Sequence, residues 1–224
     1  MEEKPDLLFS CDTVLFDFDG VLIDSTENIL RHWKDWADQH GIDMDEVNRA
    51  VHGMRAIETM RIVAPHLDHE EEARLFMENE LNDYEGIKAH EGAFKLLSSL
   101  PADSWAVVTS ARKELVQRRM SKTGLPVPCV LITGDDVKEG KPFPEPYLTG
   151  ARKIGVTPER CVDIEDAPAG IEAGKRAGMR VVAISSTHPR EELIARGADI
   201  VLDKLSDLQV RKPVNGYRIQ LSTR

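Results

Sequence analysis

Short apolar runs punctuate this chain at Thr13 to Phe18, Trp105 to Thr109, Cys129 to Thr133, Cys161 to Ile164 and Val181 to Ile184. Each is rich in β-branched residues and shows little polar alternation, as strands buried on both faces of a parallel sheet do. Helical stretches lie between them: Glu91 to Ser99, Arg112 to Lys122, Pro144 to Ile154, Pro168 to Ala177 and Pro189 to Arg196. Strand and helix alternating from about residue 91 onward predict a doubly wound α/β fold with a parallel sheet. A last strand-like piece, Ile200 to Leu202, leads into a short helix.

Between Asp24 and His90 the alternation stops and only amphipathic helical patterning remains. Ile29, Trp33, Trp36 and Ala37 recur on one helical face, which places both tryptophans in a local core. Glu27 with Arg31, and Glu70 with Arg74, are spaced i,i+4 and are expected to pair. The pattern predicts an α/β core from residues 1–23 and 91–224, with residues 24–90 inserted as an all-helical cap domain. Such a cap would close over the carboxyl ends of the strands, where open α/β sheets bind ligands. Gly86 and Gly92 flank its return to the core and are expected hinges. Near the other end, Asn215-Gly216 between alternating segments from Gln209 to Leu221 signals a C-terminal β-hairpin.

Composition narrows the class. The 224 residues are 41% hydrophobic and 30% charged, ordinary for a globular protein. A net charge of −10 argues against nucleic acid or an anionic membrane as partner. An anionic substrate would therefore need local Lys, Arg or backbone N–H groups to hold it. Cys11, Cys129 and Cys161 show no C-x-x-C spacing and read as reduced, partly buried thiols. The start, Met1-Glu2-Glu3-Lys4-Pro5, lacks the features of a signal peptide, and no apolar run approaches the roughly 20 residues of a membrane span. A cytoplasmic location is expected, and the chain is compatible with a monomer.

The chemistry is concentrated at strand ends. Val14 to Phe16 runs into Asp17-Phe18-Asp19-Gly20, and because residues i and i+2 of a strand share a face, Asp17 and Asp19 are expected to leave the strand end pointing the same way. Two such close carboxylates call for a cation or a shared proton. They suit a hard metal held by oxygen ligands, or a nucleophile beside an acid/base group. Thr109 and Ser110 end a second strand and could cradle an anion or cap a helix. Lys141, fixed between Gly140 and Pro142, could neutralise a phosphate or the nucleophilic carboxylate. Glu165 and Asp166 end another strand and could complete an oxygen-ligand set with Asp17 for Mg²⁺; Asp166 could instead cap the following helix.

In this order, D-F-D-G-V, T-S, G-K-P and E-D-A-P-A-G resemble the haloacid dehalogenase superfamily of aspartate-nucleophile phosphohydrolases. Together with His52-Gly53-Met54-Arg55, they are similar to sugar-phosphate and glycerol-phosphate phosphatases carrying a small helical cap. The resemblance implies that Asp17 attacks phosphorus and that Asp19 protonates the leaving group and then activates water. Thr109 or Ser110 would hold phosphate oxygens, and Lys141 would offset charge. Mg²⁺ would be bound by Asp17, the Asp19 carbonyl and Asp166, with Glu165 nearby. His52 and Arg55 would contact a small phosphorylated metabolite or serve only as cap contacts. A β-phosphoglucomutase-like phosphomutase is the nearest alternative, but Ser25 and Ile29 replace the threonine and histidine such enzymes use, which favours hydrolysis. A dehalogenase has no need of Asp19. A receiver-like phospho-acceptor switch would carry neither the D-x-D pair nor the helical insertion.

Overall fold

A computed structural model of the chain describes residues 8–51, 53–211 and 216–223. Its central sheet is built from β2 (Thr13–Phe16), β5 (Trp105–Val108), β6 (Val130–Ile132), β7 (Cys161–Glu165), β8 (Arg180–Ile184) and β9 (Ile200–Leu202). All pair in parallel, in the order β6-β5-β2-β7-β8-β9. Helices α5 (Ala93–Ser99), α6 (Lys113–Thr123), α7 (Glu145–Ile154), α8 (Pro168–Arg176) and α9 (Arg190–Ala195) connect these strands. The doubly wound reading holds, with element ends moved by a residue or two.

Both faces of β2 are buried, which explains its unbroken apolar run. Val14 and Phe16 join one apolar cluster with Leu96, Leu97, Val107 and Ile164. Leu15 enters the opposite cluster with Val108, Ile132 and Tyr147. Strand order reverses around β2, so the polar residues just after β2, β5 and β7 emerge side by side at the switch point.

The insertion contains α1 (Thr26–His40), α2 (Met44–Ala50), α3 (Ala56–Val63) and α4 (His69–Glu80). Trp33, Trp36, Val47, Met60 and Phe76 form a separate apolar cluster there. Trp33 packs 5.3 Å from Trp36 and 4.5 Å from Phe76, centroid to centroid. The segment is not wholly helical at its ends. Its two stems pair as a short antiparallel ribbon, β3 (Ile23–Asp24) against β4 (Lys88–Ala89). Two residues per strand are too few to leave a periodic signal in sequence.

The expected ion pairs and the burial of one cysteine are corrected. Arg31 pairs with Asp83 rather than Glu27, and Arg74 takes Glu71 and Glu78 rather than Glu70, which reaches Arg61. A carboxylate in the loop after α4 competes for Arg31, and carboxylates one turn to either side on α4 itself compete for Arg74. Gly92 is pressed against Ser206, where a Cβ would lie 2.8 Å from its Cα, so packing requires this glycine. Cys11 and Cys161 are buried, but Cys129 is exposed.

Strands β10 (Leu208–Arg211) and β11 (Ile219–Thr223) pair antiparallel as expected; Asn215, half of the expected Asn-Gly signal, lies outside the described residues. Strand β1 (Leu8–Cys11) adds to the free side of β11, making a three-stranded antiparallel sheet. Among the described residues, no helix is long and apolar enough to cross a membrane.

Candidate active site

The strand ends open into a cavity of about 420 Å³. From the core side it is lined by Asp17, Asp19, Thr109, Ser110 and Asp166, and from the insertion by residues that include Ile29, Trp33, Ile57 and Phe76. Strand β2 stops at Phe16, before either aspartate. Asp17 N still donates to Ile164 O at 2.9 Å, which holds the aspartate against β7. The chain then turns tightly, with Leu22 N and Ile23 N donating to Phe18 O and Gly20 at φ +84°. This turn, rather than the pleat of a continuing strand, delivers Asp17 and Asp19 to one cavity.

Lys141 lies behind Asp17, almost wholly shielded from solvent. Its ammonium donates to Asp17 Oδ1 at 2.6 Å, Glu165 Oε1 at 2.5 Å and Val108 O at 3.1 Å. All three donor positions are thereby used, so the lysine neutralises carboxylates rather than reaching into the cavity. Burial opposes its charge, but Asp17 and Glu165 outweigh that and raise the ammonium above its ordinary pKa. Burial, helped by Glu165 and Asp19, pushes the Asp17 carboxyl up to about 7 against the pull of Lys141.

Glu165 is saturated. Its Oε1 also accepts from Tyr147 Oη at 2.6 Å, while Oε2 accepts from the backbone N–H groups of Asp166 and Ala167. Gly170 makes room for it, because a Cβ there would lie 1.8 Å from Glu165 Oε1. Asp166 does not cap α8, whose first turn follows Ala167 without a side-chain cap. Its Oδ2 instead accepts from Thr187 Oγ1 at 2.5 Å, and Gly20 leaves the space beside it open. Burial beside Glu165 and Asp17 drives the Asp166 carboxyl well above its usual range.

This donor set fits a hard divalent cation. Asp17, Glu165 and Asp166 each offer an oxygen, all within 4.8 Å of one another, and all three are buried. Burial first, and the neighbouring acids after it, raise the Asp17 and Asp166 carboxyls; one ammonium among three acids leaves negative charge that a cation would offset. With Glu165 engaged by four donors, Asp17 and Asp166 are the acids best placed to ligate.

Asp19 has a different surrounding. Its Oδ1 accepts from Ser25 Oγ at 2.6 Å and from Arg119 Nη1 at 2.8 Å. Thr109 Oγ1 accepts from Ala111 N at 3.1 Å, whereas Ser110 Oγ donates to Gly53 O of the insertion at 2.8 Å. The guanidinium of Arg55 donates to the carbonyls of Gly134, Val137 and Lys138 and pairs with Glu58. Glu58 in turn accepts from Gly140 N. Arg55 is thus occupied in joining the insertion to the loops before Lys141, although it borders the cavity. His52 lies outside the described residues.

Tyr147, Thr187 and Arg119 join the site without a motif that marks them. Tyr147 lies beyond the G-K-P motif, with no signal except its aromatic ring. Arg119 left a trace, since it falls on the buried face of α6 with Leu115, Val116 and Met120. Thr187 follows β8 and meets Asp166 only through the fold.

Fold and site together define a hydrolase centred on a buried aspartate, with a helical insertion facing it. Residues 14–184 match the haloacid dehalogenase-like hydrolases, and the chain belongs to that family. It is 39% identical to hexitol phosphatase A of Escherichia coli (strain K12) over 211 residues, covering 92% of this chain and 97% of that one. Glycerol-1-phosphate phosphohydrolase 2 of Saccharomyces cerevisiae is 36% identical, with 92% and 87% covered. Among solved structures, CbbY from Rhodobacter sphaeroides in complex with phosphate superposes with a TM-score of 0.74 at 25% identity, covering 88% of this chain and 96% of that one. The chain is an enzyme, a phosphoric monoester hydrolase.

Proposed function

We propose that this enzyme is a Mg²⁺-dependent phosphatase of small phosphorylated sugars or polyols. Asp17 attacks phosphorus, forming a carboxylate O–P bond as the bond to the substrate alkoxide breaks. Asp19 gives its proton to that alkoxide. It then takes a proton from water, whose oxygen displaces Asp17 and releases inorganic phosphate. The net change is monoester plus water to alcohol plus phosphate. Mg²⁺, held by Asp17, the Asp19 carbonyl and Asp166, would supply charge stabilisation to the transferring phosphoryl group.

The observation that carries this reading is the ammonium of Lys141, 2.6 Å from Asp17 Oδ1 at the edge of a cavity that Asp19 also lines. Lys141 holds Asp17 for attack, while Arg119 and Ser25 hold only Oδ1 of Asp19 and leave its other carboxylate oxygen for proton exchange. Thr109 is the hydroxyl assigned to phosphate, since Ser110 already donates to Gly53 O. Residues 24–90 act as the cap that selects the substrate. The hexitol and glycerol-1-phosphate specificities in the relatives' names support the substrate class. Ile29, which cannot exchange protons, lines the cavity and supports hydrolysis over return of the phosphoryl group to a bound sugar. A metabolic enzyme of the cytoplasm accords with these substrates.

A phosphate-release screen over hexose, pentose and polyol phosphates, run with Mg²⁺ and with chelator, tests the reading. Turnover by the native enzyme should require the metal and vanish in Asp17→Asn, with the variant still folded. Substantial residual activity in Asp17→Asn refutes the nucleophile assignment, and an isomeric sugar phosphate as product would favour the mutase.

A further inference from the structure

Arg119 is a fully buried guanidinium that no motif of the sequence explains. It projects from α6 of the core, and its two terminal nitrogens serve different parts of the molecule. Nη1 donates to Asp19 Oδ1 at 2.8 Å. Nη2 donates to Asn28 Oδ1 on α1 and to Glu80 Oε1 at the end of α4, both at 3.1 Å. Burying such a charge is costly unless its donors find acceptors, and both terminal nitrogens do. The planar fork fixes the angle between its two arms, so the position of one arm constrains the other.

We propose that Arg119 is a positioning residue that orients Asp19 for proton transfer only while the helical insertion is seated. Arg119 and Ser25 both hold Oδ1, so the second carboxylate oxygen is the one that exchanges a proton with the leaving group. Asn28 and Glu80 hold the far side of the guanidinium. If the insertion moves away, Nη2 loses both acceptors and the brace on Asp19 loosens with it. Proton transfer is thereby tied to closure over the substrate, which limits attack by stray water on an incompletely enclosed site. This inference rests on the phosphatase reading and deepens it.

The test exploits leaving groups. An alkoxide needs a proton as it departs, whereas 4-nitrophenolate departs without one. In single turnovers, Arg119→Met should slow alcohol release from glycerol 1-phosphate about 100-fold and nitrophenol release from 4-nitrophenyl phosphate by no more than about 3-fold. Arg119→Lys should recover most of the alkyl rate, and Asn28→Ala should show the same selective loss at about 10-fold. If Arg119→Met does not fold, the ratio is read from Asn28→Ala. Equal slowing of both substrates, or no slowing of either, overturns the role of Arg119. A wild-type enzyme inactive on both esters would instead overturn the phosphatase reading beneath it.

Discussion

Lys141 Nζ sits 2.6 Å from Asp17 Oδ1, and the same ammonium holds Glu165 at 2.5 Å. One buried cation therefore serves two buried acids, and the three cannot be altered independently. Removing the cation alone should strand both carboxylates. Lys141→Met is expected to lose activity and also to cost about 3–5 kcal/mol of stability near neutral pH. Urea denaturation at pH 7 checks this, and an unchanged midpoint would show that the acids find other compensation.

Excess negative charge at Asp17, Glu165 and Asp166 predicts stabilisation by a divalent cation. At a hundredfold excess over its dissociation constant, Mg²⁺ should add about 2.7 kcal/mol. Asp166→Asn should remove most of that gain. Thermal melts with Mg²⁺ and with EDTA decide the matter, and equal melts for the native enzyme in both would remove the metal site.

Gly170 touches the Glu165 carboxylate so closely that a methyl group has no place to go. Gly170→Ala should displace Glu165 from Lys141 and lower kcat by at least tenfold, on the order of a displaced catalytic group. Stability should fall as well, because the better helix former in α8 adds only about 1 kcal/mol against a displaced buried carboxylate. Steady-state kinetics beside a far-ultraviolet CD melt separates the two effects, and native kcat in the variant would show that Glu165 does not need its place.

Glu80 gives a pH prediction with a definite sign. Burial, with Asp19 adding to it, pushes its carboxyl up to about 7 against the pull of Arg119. The folded state holds this proton to higher pH than the unfolded chain does. The contribution is fully present below the unfolded value of 4.5 and is lost as pH rises through about 7. Glu80→Gln cannot lose that proton, so its stability relative to the native enzyme should improve across this window, by an amount on the order of 2 kcal/mol. Denaturation curves at several pH values test it, and a constant difference across the window contradicts the assignment.

Much of this could be read from the chain alone. The parallel sheet showed in uninterrupted β-branched runs, because strands covered on both faces must be apolar at every position. Asp17, Asp19, Thr109, Ser110 and Asp166 stood out as polar residues directly after such runs, and the structure brings them to one cavity. Trp33 and Trp36 followed helical spacing into the insertion's own core. Arg55 was visible as a cap residue, but its engagement with the carbonyls of Gly134, Val137 and Lys138 was not. Those carbonyls come from a loop some eighty residues away, and backbone acceptors leave no mark in sequence.

Local periodicity and the order of the motifs settled the architecture and named the polar residues that meet in the cavity, since both depend on near neighbours along the chain. Pairing was decided by tertiary structure: Lys141 behind Asp17 rather than in the cavity, Glu165 engaged by four donors, and Arg119 divided between Asp19 and the insertion. A buried charge takes whichever partner the packing brings within about 3 Å, and that choice exists only after distant segments have come together.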